Sequence, residues 1–185
     1  MKTISLHSIS SAKNIAFAAL FSALCCIGSI LLIVPLPNGY FNTGDVFVLL
    51  SGWCLGPIYG SFAAAIGSAL ADVLSSFTIY APATFFIKGL EAFLAFWVWK
   101  MMKNIFKNEK LDVLARSIAA VCGGLFMILG YFLFECILYG FGGATLSLLG
   151  NLSQAICCGA CAVILIGMLY PIKAIKVLFP TLKKQ

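Results

Sequence analysis

Long apolar stretches alternate along the chain with short breaks that contain glycine, proline or charged residues. A helix needs about 20 apolar residues to cross a bilayer, and most of the stretches come close to that length. The pattern predicts six helices, at about 13–34, 45–55, 58–74, 82–102, 113–138 and 144–170. The second helix is short for a membrane span.

The composition indicates that these helices lie in a membrane. Of the 185 residues, 62% are hydrophobic and 10% are charged, whereas a globular domain is about 45–50% apolar and about 25% charged. A soluble fold of this size could not bury so much apolar surface, which excludes secreted disulfide scaffolds, nucleic-acid modules and nearly all soluble enzymes. We therefore predict an all-α membrane protein, a six-transmembrane-helix bundle that forms a single integral membrane domain over residues 1–185.

The basic residues predict an orientation for the bundle. The net charge is +6, and the twelve Lys and Arg lie near the N-terminus, at 100–116 and near the C-terminus, with Lys88 alone apart. Basic residues concentrate on the cytoplasmic side of membrane proteins. Both termini are therefore predicted to be cytoplasmic. We also expect a multi-pass protein of the plasma membrane in a bacterial-type cell. Trp97 and Trp99 precede the central basic stretch, where an interfacial aromatic belt is expected.

Eight cysteines raise the question of a metal or redox site. Cys158 and Cys161 match C-x-x-C, but the sequence holds no second such pair and a single histidine, His7. Zinc sites use four regularly spaced ligands, and cysteines in apolar helices ordinarily serve as small packing residues. We expect neither a metal nor a cofactor on this chain. The sequence also holds no catalytic triad, zinc-protease motif or P-loop, so we expect a protein that is not an enzyme and does not hydrolyse ATP itself.

Polar residues inside the predicted helices indicate a binding site, because ionisable groups are costly in a bilayer. On the predicted topology they all fall in the outer half, and the inner half is expected to carry nothing comparable. They are Asp45, Asp72, Lys88, Glu91, Glu135, Asn151 and Gln154. A polar pocket on one side suits the capture of an external solute. The alternative is an ion network of Lys88, Asp72 and Glu91 that only fastens helices together.

Small residues recur every four positions on two helices. On the third helix, Gly60, Ala64 and Ser68 form a stripe that leads to Asp72. Such stripes allow helix backbones to approach closely, so this one is predicted to deliver Asp72 to the bundle interior. The first helix carries a similar stripe of Ala12, Ala16, Ala19 and Ala23. The sequence leaves open whether these alanines pack within the chain or against a partner.

Several motifs together resemble the substrate-binding S components of energy-coupling factor (ECF) vitamin transporters. They lie at residues 39–45, 55–57, 67–72, 80–84, 87–91 and 151–154, and include a Gly-Asp, an Ala-Asp and a Lys-Gly-x-Glu element. The resemblance extends over nearly the whole chain. It is nearest to the riboflavin-transporter-like subgroup, some members of which are linked to pyridoxine or hydroxymethylpyrimidine.

The resemblance implies a bundle that binds a water-soluble vitamin or vitamin precursor near its outer face. Through its motifs it adds Tyr40, Asn42, Tyr80 and Thr84 to the seven polar residues above as substrate-binding candidates. It also implies that the first helix docks, through some of its four alanines, on a transmembrane coupling subunit driven by two ATPases that use ATP. The sequence lacks the Met-His start of nickel and cobalt S components, which disfavours metal uptake.

Two other functions remain open. One is a structural membrane scaffold whose polar residues fasten helices and bind no ligand. The other is a stand-alone carrier or channel for a small solute. A proton or ion path needs polar groups through the full thickness of the membrane, whereas the predicted polar residues lie on one side.

Overall fold

Apolar helices account for nearly all of the structure, a computed structural model that describes residues 11–31, 34–35 and 40–182. The helices are α1 (Ser11–Leu31), α2 (Gly44–Leu55), α3 (Pro57–Leu74), α4 (Ala81–Phe106), α5 (Asp112–Leu169) and α6 (Lys173–Leu178), with two short 3₁₀ turns at Glu109–Leu111 and Pro180–Leu182. The strands β1 (Val34–Pro35) and β2 (Tyr40–Phe41) pair antiparallel between α1 and α2. The all-α class is confirmed, and the small ribbon and α6 are additions to the six predicted helices.

Four helices in the described part of the chain are long and apolar enough to cross a bilayer. They are Ala12–Leu31, Pro57–Leu74, Ala81–Phe106 and the stretch Glu109–Leu169. The last has 61 residues, whereas one crossing takes about 20. The fourth predicted helix ends one turn too early, since α4 continues past Met102 to Phe106 before a left-handed Lys107 ends it.

Gly140 divides α5 into two arms, residues 112–139 and 141–169. Its φ of 72° and ψ of 172° are the only non-helical backbone angles inside α5, and they lie in a region that glycine alone adopts readily. The break falls within the glycine-rich turn predicted at 139–143, but it is confined to one residue. The two arms correspond to the fifth and sixth predicted helices, and the six-span count itself stays a prediction.

We expect Gly140→Ala to lower the free energy of unfolding by roughly 1–3 kcal/mol, the cost of a strained backbone conformation. The control is Gly142→Ala. A Cβ added at either glycine meets nothing within 4 Å, and only Gly140 has a positive φ. Thermal melting of the two purified variants in detergent tests the prediction, and equal melting temperatures would contradict it.

The short helix α2 lies in the middle of the bundle. It packs against α1, α3, α4 and α5, and ten of its 12 residues are buried. At 1.5 Å per residue it is about 18 Å long, shorter than the hydrocarbon core of about 30 Å. The first turn of α2 therefore places Asp45 inside the bundle.

The predicted small-residue stripe on α3 faces this central helix. Gly60, Ala64, Ser68 and Asp72 are all buried. A Cβ built on Gly60 would lie 2.4 Å from the carbonyl oxygen of Ser51 on α2, so only glycine permits this approach. The stripe brings Asp72 into the interior, as predicted.

The C-terminal strap, residues 173–182, packs under the end of the bundle where α2 turns into α3. The ring of Phe179 lies 5.0 Å from that of Phe17 and 6.0 Å from that of Phe21 on α1. Thr181 donates from Oγ1 to the backbone carbonyls of Trp53 and Cys54 at the end of α2. The strap thus ties α1 to α2 at this end.

Candidate functional site

Lys88 occupies the centre of a buried ionic group between α2 and α4. Its Nζ donates to Oδ1 of Asp45 and, at 3.1 Å, to Oε2 of Glu91. All three side chains are at most 3% exposed. Glu91 follows Lys88 by one turn of α4, whereas Asp45 comes from the first turn of α2, where the partial positive charge of a helix N-terminus favours a carboxylate. Two carboxylates thus face one ammonium group in a closed space.

Gln154, on the second arm of α5, joins this group to the segment after β2. Its Nε2 donates to Oδ2 of Asp45 at 2.7 Å, and its Oε1 accepts from the backbone N–H of Asn42 at 2.9 Å. The side chain of Asn42 accepts from the N–H of Gly44 at 2.9 Å. We call Asn42, Asp45, Lys88, Glu91 and Gln154 the Lys88 cluster. It joins α2, α4, α5 and the segment that leads out of the ribbon.

Tyr131 and Thr84 extend the polar surface beside the cluster. Nζ of Lys88 lies 5.4 Å from the centroid of the Tyr131 ring, within the range of a cation–π contact. The hydroxyls of Tyr131 and Thr84 share a hydrogen bond of 3.0 Å. The predicted site omitted Tyr131, although it stands four residues before Glu135 and therefore on the same helix face.

Tyr80 and Glu135 form a further buried contact between the start of α4 and the first arm of α5. Tyr80 donates from its hydroxyl to Oε1 of Glu135 at 3.3 Å. Its ring packs edge-on against Phe134 at 5.5 Å and Phe77 at 6.4 Å. Burial raises the pKa of the Tyr80 phenol, so it stays a neutral hydrogen-bond donor. Tyr80 and Glu135 meet each other, and the contacts that define the Lys88 cluster do not include them.

The remaining predicted site residues are placed differently. Asp72 is buried on α3, but the ion-pair partners of Lys88 are Asp45 and Glu91. The hypothesis of a Lys88–Asp72–Glu91 ion network did not include Asp45, the carboxylate that α2 presents to Lys88. Asn151 is buried on the same arm of α5 as Gln154. The side chain of Tyr40 lies outside the described part of the structure.

A second buried ion pair lies in the half of the bundle that the predicted topology makes the inner one, where nothing comparable was expected. Arg116 donates from Nε to Oδ2 of Asp112 at 2.8 Å, and Trp99 donates from its indole to Oδ1 of the same carboxylate at 2.8 Å. The guanidinium carbon lies 4.2 Å from the centroid of the Trp99 ring and 5.3 Å from that of Trp53. Arg116 is 1% exposed and is no solvated flanking charge. Trp99 is buried and hydrogen-bonded to this ion pair. Of the two residues predicted for the interfacial aromatic belt, only Trp97 is exposed.

The alanine stripe of α1 lies on the surface. Ala12, Ala16, Ala19 and Ala23 are all exposed. Ala19 and Ala23 also line an apolar groove of about 550 Å³ between α1 and α3, whose other wall includes Ile66 and Leu70. Ser22 lines the same groove and donates from Oγ to the carbonyl of Ala63 at 2.9 Å, whereas buried residues of α1 such as Phe21 and Cys25 pack into the core.

Comparisons with known proteins agree with the architecture. The family model described as "ECF-type riboflavin transporter, S component" matches residues 9–171. A protein of Pyrococcus woesei, described as an uncharacterized protein in gap 3′ region, is 35% identical over 123 residues, which span 66% of this chain and 77% of that protein. A structure solved in a study of the structure and mechanism of the S component of a bacterial ECF transporter superposes with a TM-score of 0.61 at 19% identity, over 88% of this chain and 98% of the other. At that identity the structural likeness supports the fold alone.

Proposed function

This chain belongs to the family of ECF-type riboflavin transporter S components, and on that premise we propose that it captures a water-soluble vitamin or vitamin precursor for import. The family is a transporter component and not an enzyme class. The chain is then the substrate-binding subunit of an ECF-type ABC importer. The observation that carries the choice of site is the closed Lys88 cluster, which joins four parts of the chain around one ammonium group.

The cluster has the chemistry of a site that exchanges partners with a polar ligand. Lys88 supplies a donor, Asp45 and Glu91 supply acceptors, and Gln154 supplies both. Tyr131 adds an aromatic face and a hydroxyl at the edge, which suits a flat heteroaromatic ring. Because Asn42 ties the segment after β2 to Gln154, displacement of this segment would open the cluster to a solute.

The proposed topology has six crossings, counting each arm of α5 as one, with both termini in the cytoplasm. The basic residues at 100–116 then lie inside, and the Lys88 cluster lies toward the outer face. We expect a membrane-impermeant thiol reagent to label Thr78→Cys and not Lys107→Cys in intact cells, in a background from which the exposed native cysteines have been removed. Both positions are exposed in the structure. The reverse labelling pattern would contradict the orientation.

A chain without a nucleotide site needs partners to drive uptake. We place the transmembrane coupling subunit on the exposed alanine stripe of α1, and we place ATP on two ATPase subunits behind it. Ala19 and Ala23 are the preferred pair because they border the groove against α3. A partner helix carrying a small apolar side chain could seat in that groove.

Equilibrium binding to the purified chain tests the proposal. Riboflavin, pyridoxine and hydroxymethylpyrimidine are titrated separately, followed by a wider vitamin panel, with tryptophan fluorescence as the signal. Saturable binding of one compound supports the proposal. Failure of the whole panel on a folded protein would favour the structural scaffold. Uptake of a bound vitamin in cells that lack the coupling module would favour the stand-alone carrier.

A further inference from the structure

A small basic pocket lies at the end of α4 opposite the Lys88 cluster. It has a volume of about 120 Å³ and is lined by Phe96, Trp99, Lys100, Lys103, Asn104 and Thr181. Lys100 is twelve residues beyond Lys88, or about 18 Å along the helix. The pocket is therefore separate from the proposed vitamin site, and its six lining residues include no carboxylate.

The two lysines are held in place by aromatic rings. Nζ of Lys100 lies 5.9 Å from the centroid of Phe96 and 5.5 Å from that of Trp97. Nζ of Lys103 lies 5.4 Å from the centroid of Trp99. Residues three apart share a helix face, so both ammonium groups border the same space. Asn104 adds an amide donor beside them.

None of the ion pairs in the described part of the structure includes a lysine of the pocket. Asp112 accepts a hydrogen bond from the indole of Trp99, a residue of the pocket, on one oxygen and from Arg116 on the other. Arg116 therefore balances Asp112, and it lies against the Trp99 ring. Lys100 and Lys103 keep their two positive charges for a ligand.

On the proposed topology, the pocket lies where α4 leaves the membrane. Lys100 and Lys103 stand within about 9 Å of the last residue of α4, which ends at Phe106 before an exposed basic turn. Phospholipid phosphates lie at this depth, and basic pockets between helices bind anionic head groups. The rings of Phe96 and Trp99 offer contact to glycerol and acyl carbons, which a free phosphate would leave unused.

We propose that this pocket binds the head group of an anionic phospholipid, with the phosphate between Lys100 and Lys103. On the proposed topology the lipid belongs to the cytoplasmic leaflet, but the site itself does not depend on the vitamin. Thr181 places the C-terminal strap at the edge of the pocket, so the bound lipid contacts both α4 and the strap that holds α1.

The test titrates the purified full chain in detergent with dioctanoyl phosphatidylglycerol, dioctanoyl phosphatidylcholine and inorganic phosphate by calorimetry. Wild type is compared with Lys100→Gln/Lys103→Gln and with Lys107→Gln/Lys110→Gln, a control that removes two exposed lysines of the adjacent turn. We expect saturable binding of phosphatidylglycerol to wild type and to the control. The pocket variant should bind roughly 30-fold more weakly, the factor that about 1 kcal/mol for each lysine gives.

Four results would overturn the proposal. Equal weakening in both double variants would show diffuse attraction to a basic surface. Phosphatidylcholine binding as tightly as phosphatidylglycerol would show that charge is not recognised, and phosphate competing at the same concentration as the lipid would show a small-anion site. Lys100→Arg/Lys103→Arg keeps both charges and should retain binding; its failure would also count against the site. A thermal melt of each variant verifies that it is folded.

Discussion

We expect Lys88→Met to abolish vitamin binding by the purified protein. We also expect it to lower the free energy of unfolding by about 3–5 kcal/mol, because removing one partner of a buried ion pair leaves uncompensated charge. Methionine keeps most of the apolar stem and its volume. Asp45 and Glu91 would then face each other without the ammonium group that donates to both. Binding is measured by ligand titration and stability by thermal melting in detergent.

A second variant separates recognition from folding. Lys88→Met/Asp45→Asn restores the net charge of the cluster to its wild-type value and keeps an acceptor for the amide of Gln154. It should recover part of the lost stability, although Glu91 stays without its ion-pair partner. If Lys88 contacts the vitamin, binding stays lost in this folded double variant. If the double variant binds the vitamin as wild type does, Lys88 only balances charge within the bundle. Lys107→Met, at an exposed lysine outside the bundle, is the control for loss of a positive charge.

The pairing inside the Lys88 cluster shows which contacts the sequence could predict. Lys88 and Glu91 are three residues apart, so helical geometry alone places them on one face, and they do meet. Asp45 and Lys88 are 43 positions apart. Their contact depends on how the short α2 inserts between its neighbours, which hydrophobic periodicity does not specify. The hypothesised ion network therefore named Asp72 and did not include Asp45.

The inner ion pair was missed for a different reason. Asp112 and Arg116 are spaced i, i+4 at the start of a helix, a local signal that was available in the sequence. Arg116 was instead grouped with the basic residues of 100–116, most of which remain accessible. What buries it is the pair of rings from Trp53 and Trp99, and that cage forms only when α2, α4 and α5 pack together.

The boundaries of the helices lie close to the predicted positions wherever glycine or proline marks them in the sequence. The turn between α2 and α3 falls at Gly56 and Pro57, as predicted. Pro171 ends α5 within two residues, but the chain then forms α6 and the strap. The strap is held by the tertiary contacts of Phe179 and Thr181. The local sequence of residues 173–182 therefore did not predict it.

The alanine stripe of α1 leads to the other large expected effect. We expect Ala19→Trp to abolish vitamin uptake in cells that contain the coupling module, while the purified variant binds the vitamin as wild type does. Ala19 is exposed and lines the groove between α1 and α3, so an indole there would fill the proposed seat of the partner. We expect its cost to the chain itself to be small because Ala19 is exposed, whereas buried residues such as Phe21 and Cys25 make the core contacts of α1. Ala160→Trp, the same change at an exposed alanine of α5, should leave both uptake and binding intact.

Measuring uptake and binding on the same two variants distinguishes docking from packing. If Ala19 were needed inside the bundle, tryptophan would overpack it at about 1–3 kcal/mol, and binding would fall together with uptake. Joint loss would therefore refute docking at this position. Equal loss of uptake in Ala160→Trp would show a general defect of bulky surface substitutions. Loss of uptake alone, in Ala19→Trp alone, places the coupling subunit on the groove, because the Lys88 cluster uses α2, α4 and α5 and leaves α1 free to serve the partner.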